Sequence, residues 1–266
     1  MKKSYSILAC ALLFSALGVP VAQADSQQEF QDLVQQMDQQ ASEKNMQGVL
    51  EFYSKDFKSN DGLNREATAK ALESLWKSLE KPQYKTEVTS VTEEGSQALV
   101  KAKTSLAGSL KQGDTSFALK GETETLSRFE RLGPNNAWQL VKQEVLMERS
   151  SLTSGKEPPK VSLSLPSQVA AGSTYTVEAV LDKPLRDSPA LGGINQTPLT
   201  ASAIPNMGSV NLNLLSSGGI FASNKVPKIP QDQVVSLGFV NTTGTTFITQ
   251  RIKVTAKSSK KRRNRA

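Results

Sequence analysis

The spacing of apolar residues changes once along this 266-residue chain, from a helical repeat that ends at Leu79 to a two-residue alternation that begins near Tyr84. That change sets the order in which helices and strands can come. Phe30, Leu33, Val34, Met37 and Ala41 fall at helical spacing, with Gln, Asp and Glu on the other face, which predicts a helix from about Gln27 to Glu43. Met46, Val49, Leu50 and Tyr53 repeat the pattern over a shorter second helix that breaks near Ser54. Asp61-Gly62 is a turn signal, Asn64 an N-cap, and Leu72, Leu75, Trp76 and Leu79 the apolar stripe of a third helix; Lys81 precedes Pro82, which disfavours further helix. Downstream, Ala98, Val100, Ala102, Thr104, Leu106 and Leu110 alternate with Gln97, Lys101, Lys103, Ser105 and Ser109, the pattern of a strand wet on one face. Strands from about Thr115 to Arg131 and from about Ala137 to Arg149 are joined by the turn Gly133-Pro134-Asn135-Asn136. Helices followed by an antiparallel meander predict an α+β unit with its helices packed on one face of the sheet.

Ser150 to Pro159 carries Ser, Thr, Gly and the Pro158-Pro159 pair without a periodic apolar signal, which predicts a linker over 151–159. Beyond it Val161, Leu163 and Leu165 alternate, as do Tyr175, Val177 and Ala179, then Val210, Leu212 and Leu214, with further strands from Val234 to Val240 and from Phe247 to Val254. Short strands between Pro and Gly turns predict a separate all-β sandwich over 160–256. Asp182 to Gly208, rich in proline and glycine, is expected to be a long connector, either an interaction surface or a cover for a sheet edge. Gly192-Gly193 and Gly218-Gly219 are expected to be turn glycines.

Lys2 and Lys3 precede an uncharged apolar run from Ile7 to about Val21, and Ala22-Gln23-Ala24 gives the small-x-small pattern of a signal peptide over 1–24. The expected product is a soluble exported protein, periplasmic or extracellular, of a bacterium. Cys10 is the only cysteine and falls within that signal, so no disulfide staple or Cys-ligated metal is expected. Histidine is absent, which excludes histidine-based triads and most zinc sites. A general base would therefore be a carboxylate raised from its ordinary value, or a depressed Tyr or Lys. The formal charge is +7, yet Lys2, Lys3, Lys257, Lys260, Lys261, Arg262, Arg263 and Arg265 are peripheral, and removing these eight charges leaves −1 for the body. Residues 257–266 lack the apolar content to fold and are expected to form a disordered basic tail.

Residues 27–149 resemble the NTF2-like, or SnoaL-like, family, through the helical opening, Phe52-Tyr53-Ser54-Lys55-Asp56-Phe57 as a turn after the second helix, Asp61-Gly62 before the third, and the strand-rich finish with Trp138. The resemblance implies a cone of helices on a curved sheet, whose open end is a ligand pocket or active site in some members and whose sheets commonly pair into homodimers. Tyr53, Asp56, Trp76, Glu122, Glu124, Arg128 and Glu144 are the positions able to reach such a pocket. Asp56 reads either as a buried proton shuttle or as a turn aspartate, and Trp76 as core. Glu122 and Glu124 alternate onto one side of their strand, where they would raise one another's pKa in an apolar cleft or be solvated on an open face. The second half is similar to generic immunoglobulin-like sandwiches, without the Cys and Trp core pair.

Together these features predict a non-catalytic exported binding or assembly protein of the bacterial cell envelope. The alternative is a small-molecule isomerase, dehydratase or hydrolase using a buried carboxylate. No cofactor is implied, since no phosphate loop or metal-ligand cluster occurs in the sequence. The expected partners are a small ligand or a protein, a second copy of the chain, and an anionic membrane surface met by the six basic residues of the tail. Nucleic acid is not expected, because the folded body lacks a basic face.

Overall fold

The computed structural model describes residues 21–132, 134–183, 189–199 and 210–257. Among these, α1 (Val21–Ser42), α2 (Met46–Glu51) and α3 (Arg65–Ser78) come first, with strand β1 (Tyr53–Ser59) before α3. Four long strands follow: β2 (Leu79–Glu94), β3 (Gln97–Gln112), β4 (Thr115–Arg131) and β5 (Trp138–Gly155). Then come β6 (Val161–Ser164), β7 (Gln168–Ala170), β8 (Thr174–Leu181), β9 (Leu191–Pro198), β10 (Asn213–Leu214), β11 (Gly219–Lys225), β12 (Gln233–Asn241) and β13 (Gly244–Thr255). Local capping starts two of the helices: Asn45 Oδ1 accepts from the Gly48 amide at 3.1 Å, and Asn64 Oδ1 from the Ala67 amide at 2.8 Å. Helix α1 begins at Val21 and so runs across the predicted cleavage point after Ala24; residues 1–20, with most of the predicted signal, and tail residues 258–266 lie outside the described residues.

The fold class differs from the expectation. There is no NTF2-like cone followed by a separate immunoglobulin-like sandwich, because strands of both halves are woven into one large sheet in the order β10-β9-β12-β13-β5-β4-β3-β2, with β1 paired to β5 and β7 to β13. The cause lies in β5, which does not stop near Arg149 but continues through Ser150 to Gly155 and pairs with β13 from Arg149↔Gln250 to Gly155↔Gly244. Flanked by β4 on one side and β13 on the other, this stretch has its backbone groups satisfied on both edges and needs little from its side chains. Serine and threonine suffice, with Leu152 as the buried apolar anchor. Gly155 and Gly244 close the ladder. Gly155 has φ +99°, and a Cβ there would lie 2.4 Å from the Thr243 carbonyl oxygen.

Among the described residues there are three apolar clusters. Phe30 and Val34 of α1 pack with Phe57, Val88, Val91, Val100, Phe129, Trp138 and Leu140, the Phe30 ring lying 5.3 Å from Phe129 and 5.1 Å from Trp138. Val49, Trp76, Leu79, Leu119 and Leu152 form a second cluster, and Phe247 of β13 packs into it. Val177, Ala179, Val235, Leu237, Phe239, Ile248 and Ile252 belong to a third, which the separate three-stranded sheet β11-β8-β6 shares with the large one. Phe247 and Ile248 are neighbours in one strand and so point to opposite faces. The helices therefore cover one face of the large sheet at one end, and the small sheet covers the other face at the other end.

Two local readings are also corrected. Phe52 to Phe57 is mostly strand β1 rather than a turn, and Gly192 and Gly193 lie within β9 rather than in a turn. A Cβ at Gly193 would sit 2.0 Å from the Asn211 carbonyl oxygen, so the glycine lets the following chain cross close over the sheet. Residues 184–188 and 200–209 of the expected connector lie outside the described residues.

Candidate functional site

At about 3.3 Å per residue the 18 residues of β5 span about 60 Å, long enough to serve two neighbours in turn along one edge. Its first part takes β1 in parallel, through Tyr53↔Leu140, Lys58↔Lys142 and Ser59↔Gln143, and its last part takes β13. Residues 144–148 pair with neither, which leaves a fork. Asn60 fills part of it, its amide donating to the Gln143 carbonyl at 2.9 Å and its Oδ1 accepting from the Val145 amide at 3.2 Å.

The rest of the fork holds charge. Arg251 of β13 donates from both terminal nitrogens to Asp61, with Nη1 at 2.9 Å from Oδ2, and its Nε and Nη2 lie 2.9 and 2.7 Å from Asp232 Oδ2. Glu148 stands 4.0 Å away, and Lys253 pairs with Glu144. The Arg251 side chain is 3% exposed, Asp61 10% and Asp232 18%. Burial works to lower the Arg251 pKa, but the hydrogen bonds to Asp61 and Asp232 outweigh it and hold the guanidinium firmly charged. Glu148 is raised above its ordinary value by burial first and Asp61 second, against the pull of Arg251. Asp232 also accepts from the Val254 amide at 3.0 Å, so its carboxylate is fully engaged. The cluster ties the turn at Asp61 in the first half to β12 and β13 in the second. Among the described residues no group of His, Cys, Asp and Glu is arranged to hold a metal.

On the face of β2, β3 and β4 opposite the helices, a groove of about 380 Å³ is lined by Lys85, Glu87, Lys103, Glu122, Glu124 and Met147, and Lys101 and Arg128 also lie on this face. Glu124 accepts from Lys101 at 3.5 Å and Lys103 at 3.3 Å. Burial works to raise its pKa, but the two lysines outweigh that and hold it below its ordinary value. Arg128 lies 3.6 Å from Glu130, and Glu122 is exposed.

The seven expected pocket positions are not brought together. Glu122, Glu124 and Arg128 share the open face; Glu144 joins the fork; Asp56 is exposed on β1. Tyr53 and Trp76 lie on the helix side. Tyr53 packs edge-on against Phe57 at 4.8 Å, and its hydroxyl is pushed up to about 12, first by burial and then by Tyr84. Trp76 is buried and donates from Nε1 to the Tyr84 hydroxyl at 3.0 Å. Sequence reasoning missed Asp38, whose pKa is raised by burial although both its oxygens accept from Thr86, and Arg251, whose only signal was a lone arginine in an apolar strand.

Residues 156–255 match the model of a domain of unknown function, DUF8623. No curated protein matches the chain. Similar solved structures include a conserved protein from Planctomyces limnophilus DSM 3776, with 15% identity, TM-score 0.38 and coverage of 46% of this chain and 94% of that one. A protein from Novosphingobium aromaticivorans DSM 12444 provisionally named a scytalone dehydratase is similar at 11% identity and TM-score 0.39, covering 46% and 83%. A hypothetical protein from Catenulispora acidiphila DSM 44928 with a ketosteroid isomerase-like fold, solved with trimethylamine, is similar at 14% identity and TM-score 0.29, covering 43% and 83%.

Proposed function

We propose that this protein is a non-catalytic, exported binding or assembly protein of the bacterial cell envelope, which engages a charged partner through the open face of β2, β3 and β4. One observation carries the reading: the helix side of the sheet, where an enclosed pocket would lie, is filled by Phe30, Phe57, Phe129, Trp138 and Leu140, whereas the exposed carboxylates and lysines line a groove on the other side. Such a groove recognises a ligand that carries both signs of charge, as an extended peptide does. The tail adds six basic residues, each worth about 1 kcal/mol against an anionic surface and screened over about 8 Å at physiological salt.

The second reading, a small-molecule isomerase or dehydratase, is favoured by Asp38 and Tyr84, which lie along a groove of about 450 Å³ and both have raised pKa values. Melting of the full chain with charged model peptides and with steroid and naphthol probes separates the two. Charged peptides should raise Tm by about 5–10 °C at a hundredfold excess over Kd, and E122K/E124K should lose that shift. Stabilisation by an apolar probe that disappears in D38N would overturn the proposal in favour of chemistry.

A further inference from the structure

Strand β2 ends the large sheet, and its outward backbone groups are not left to water. In the edge strand of an antiparallel pair every second residue turns both its N–H and its C=O outward. Here those residues are Tyr84, Thr86 and Val88, and side chains of α1 meet them one by one. Ser42 Oγ accepts from the Tyr84 amide at 2.9 Å. Asp38 accepts from the Thr86 amide at 2.5 Å, and Gln31 Nε2 donates to the Thr86 carbonyl at 2.9 Å. Gln31 Oε1 accepts from the Val88 amide at 2.9 Å, and Gln27 Nε2 donates to the Val88 carbonyl at 3.1 Å. Gln27, Gln31, Asp38 and Ser42 fall on one stripe of the helix, because offsets of 4, 11 and 15 residues at 3.6 per turn lie within about 60° of one another. A stripe of polar side chains thus imitates the backbone of a missing strand. A groove of about 450 Å³ runs along this seam, lined by Gln31, Gln35, Asp38, Tyr84, Lys85 and Glu87.

The covered segment is also complementary to itself. Antiparallel pairing about Thr86 sets Thr86 opposite Thr86, Tyr84 opposite Val88 twice, and Lys85 opposite Glu87 twice. Threonine pairs, aromatic and β-branched pairs, and opposite charges are the combinations that stabilise neighbouring strands, and an uncovered edge is a template for such pairing. We infer that Tyr84–Val88 is a pairing edge for a second copy of this chain, held shut by the polar stripe of α1. Phe30, fully buried on the apolar side of the same helix, helps seat α1 on the sheet in this closed arrangement. This inference rests on the β2 edge alone and stands apart from the reading of the open face.

The test compares the full chain with Q27A/Q31A/D38A by light scattering at matched concentration, with circular dichroism to verify folding. The triple variant should gain a concentration-dependent association one copy larger than the wild-type state. Adding E87K places lysine opposite Lys85 and should weaken that association about tenfold, and K85E/E87K in the same background should restore it. If the triple variant does not fold, Q31A alone, which removes two of the five edge bonds, carries the same comparison. A folded variant with an unchanged oligomeric state, or association indifferent to the charge exchange, would overturn the inference.

Discussion

Replacing Arg251 by methionine should be among the most damaging single changes outside the apolar clusters. The guanidinium is 3% exposed and makes four hydrogen bonds to Asp61 and Asp232, which are themselves 10% and 18% exposed. Removing it leaves two buried carboxylates facing each other and Glu148 without their cation. Breaking a buried pair from one side costs about 3–5 kcal/mol, because the remaining charge keeps its desolvation penalty. For a chain of this size each kcal/mol moves Tm by about 2–4 °C, so R251M should melt about 6–20 °C below the wild type. The assay is thermal and urea unfolding of the full chain at pH 7, followed by Trp fluorescence and far-UV circular dichroism together. A cycle with D61N should show coupling of about 0.5–3 kcal/mol, since the two side chains act as one unit. A fall in Tm below about 3 °C, or additive effects of R251M and D61N, would refute the idea that this cluster joins the halves.

Other substitutions probe the remaining elements. F30A removes a fully buried ring packed at a tilt against Phe129 and Trp138 and should cost about 3–5 kcal/mol in urea unfolding. G155A forces a Cβ against the Thr243 carbonyl at φ +99° and should cost more than about 1 kcal/mol, with faster amide exchange at 244–250. E148Q should stabilise the protein at neutral pH: the folded carboxyl holds its proton better than the unfolded one, so its contribution is present below the ordinary carboxylate range and lost as pH rises through the raised value. The wild-type and E148Q melting curves should therefore converge in acid and separate toward pH 7, modestly, because this side chain is 39% exposed. D56N should change stability by less than about 0.5 kcal/mol, as an exposed strand position does.

The elements were more legible than their assembly. The apolar stripe of Leu72, Leu75, Trp76 and Leu79 and the cap at Asn64 located α3 within a residue or two, because both signals are local. The alternation from Ala98 to Leu110 located β3 for the same reason. The junction was hidden because Ser150, Ser151, Thr153 and Ser154 have no apolar rhythm; their strand is specified by two flanking partners, one of them about 100 residues away. The same blindness applies to the fork, where Arg251, Asp61 and Asp232 meet across sequence separations of 190 and 19 residues. Trp76 is core, as its place in the apolar stripe implies, and Tyr53, expected near a pocket, packs against the same cluster with Leu79 and Val49. The glutamines of α1 looked like an ordinary solvated face, and only the register of β2 shows what they meet.

The account depends most on β5 being one continuous strand shared by both halves. Native-state amide exchange on the full chain, read residue by residue from 138 to 155 and from 244 to 250, tests this directly. The account predicts that amides bonded across the β5–β13 ladder exchange as slowly as those around Leu140 and lose protection at the same urea concentration. Rapid exchange at 150–155 with intact protection around Leu140 would show two independent units joined by a loose connection, and would contradict it.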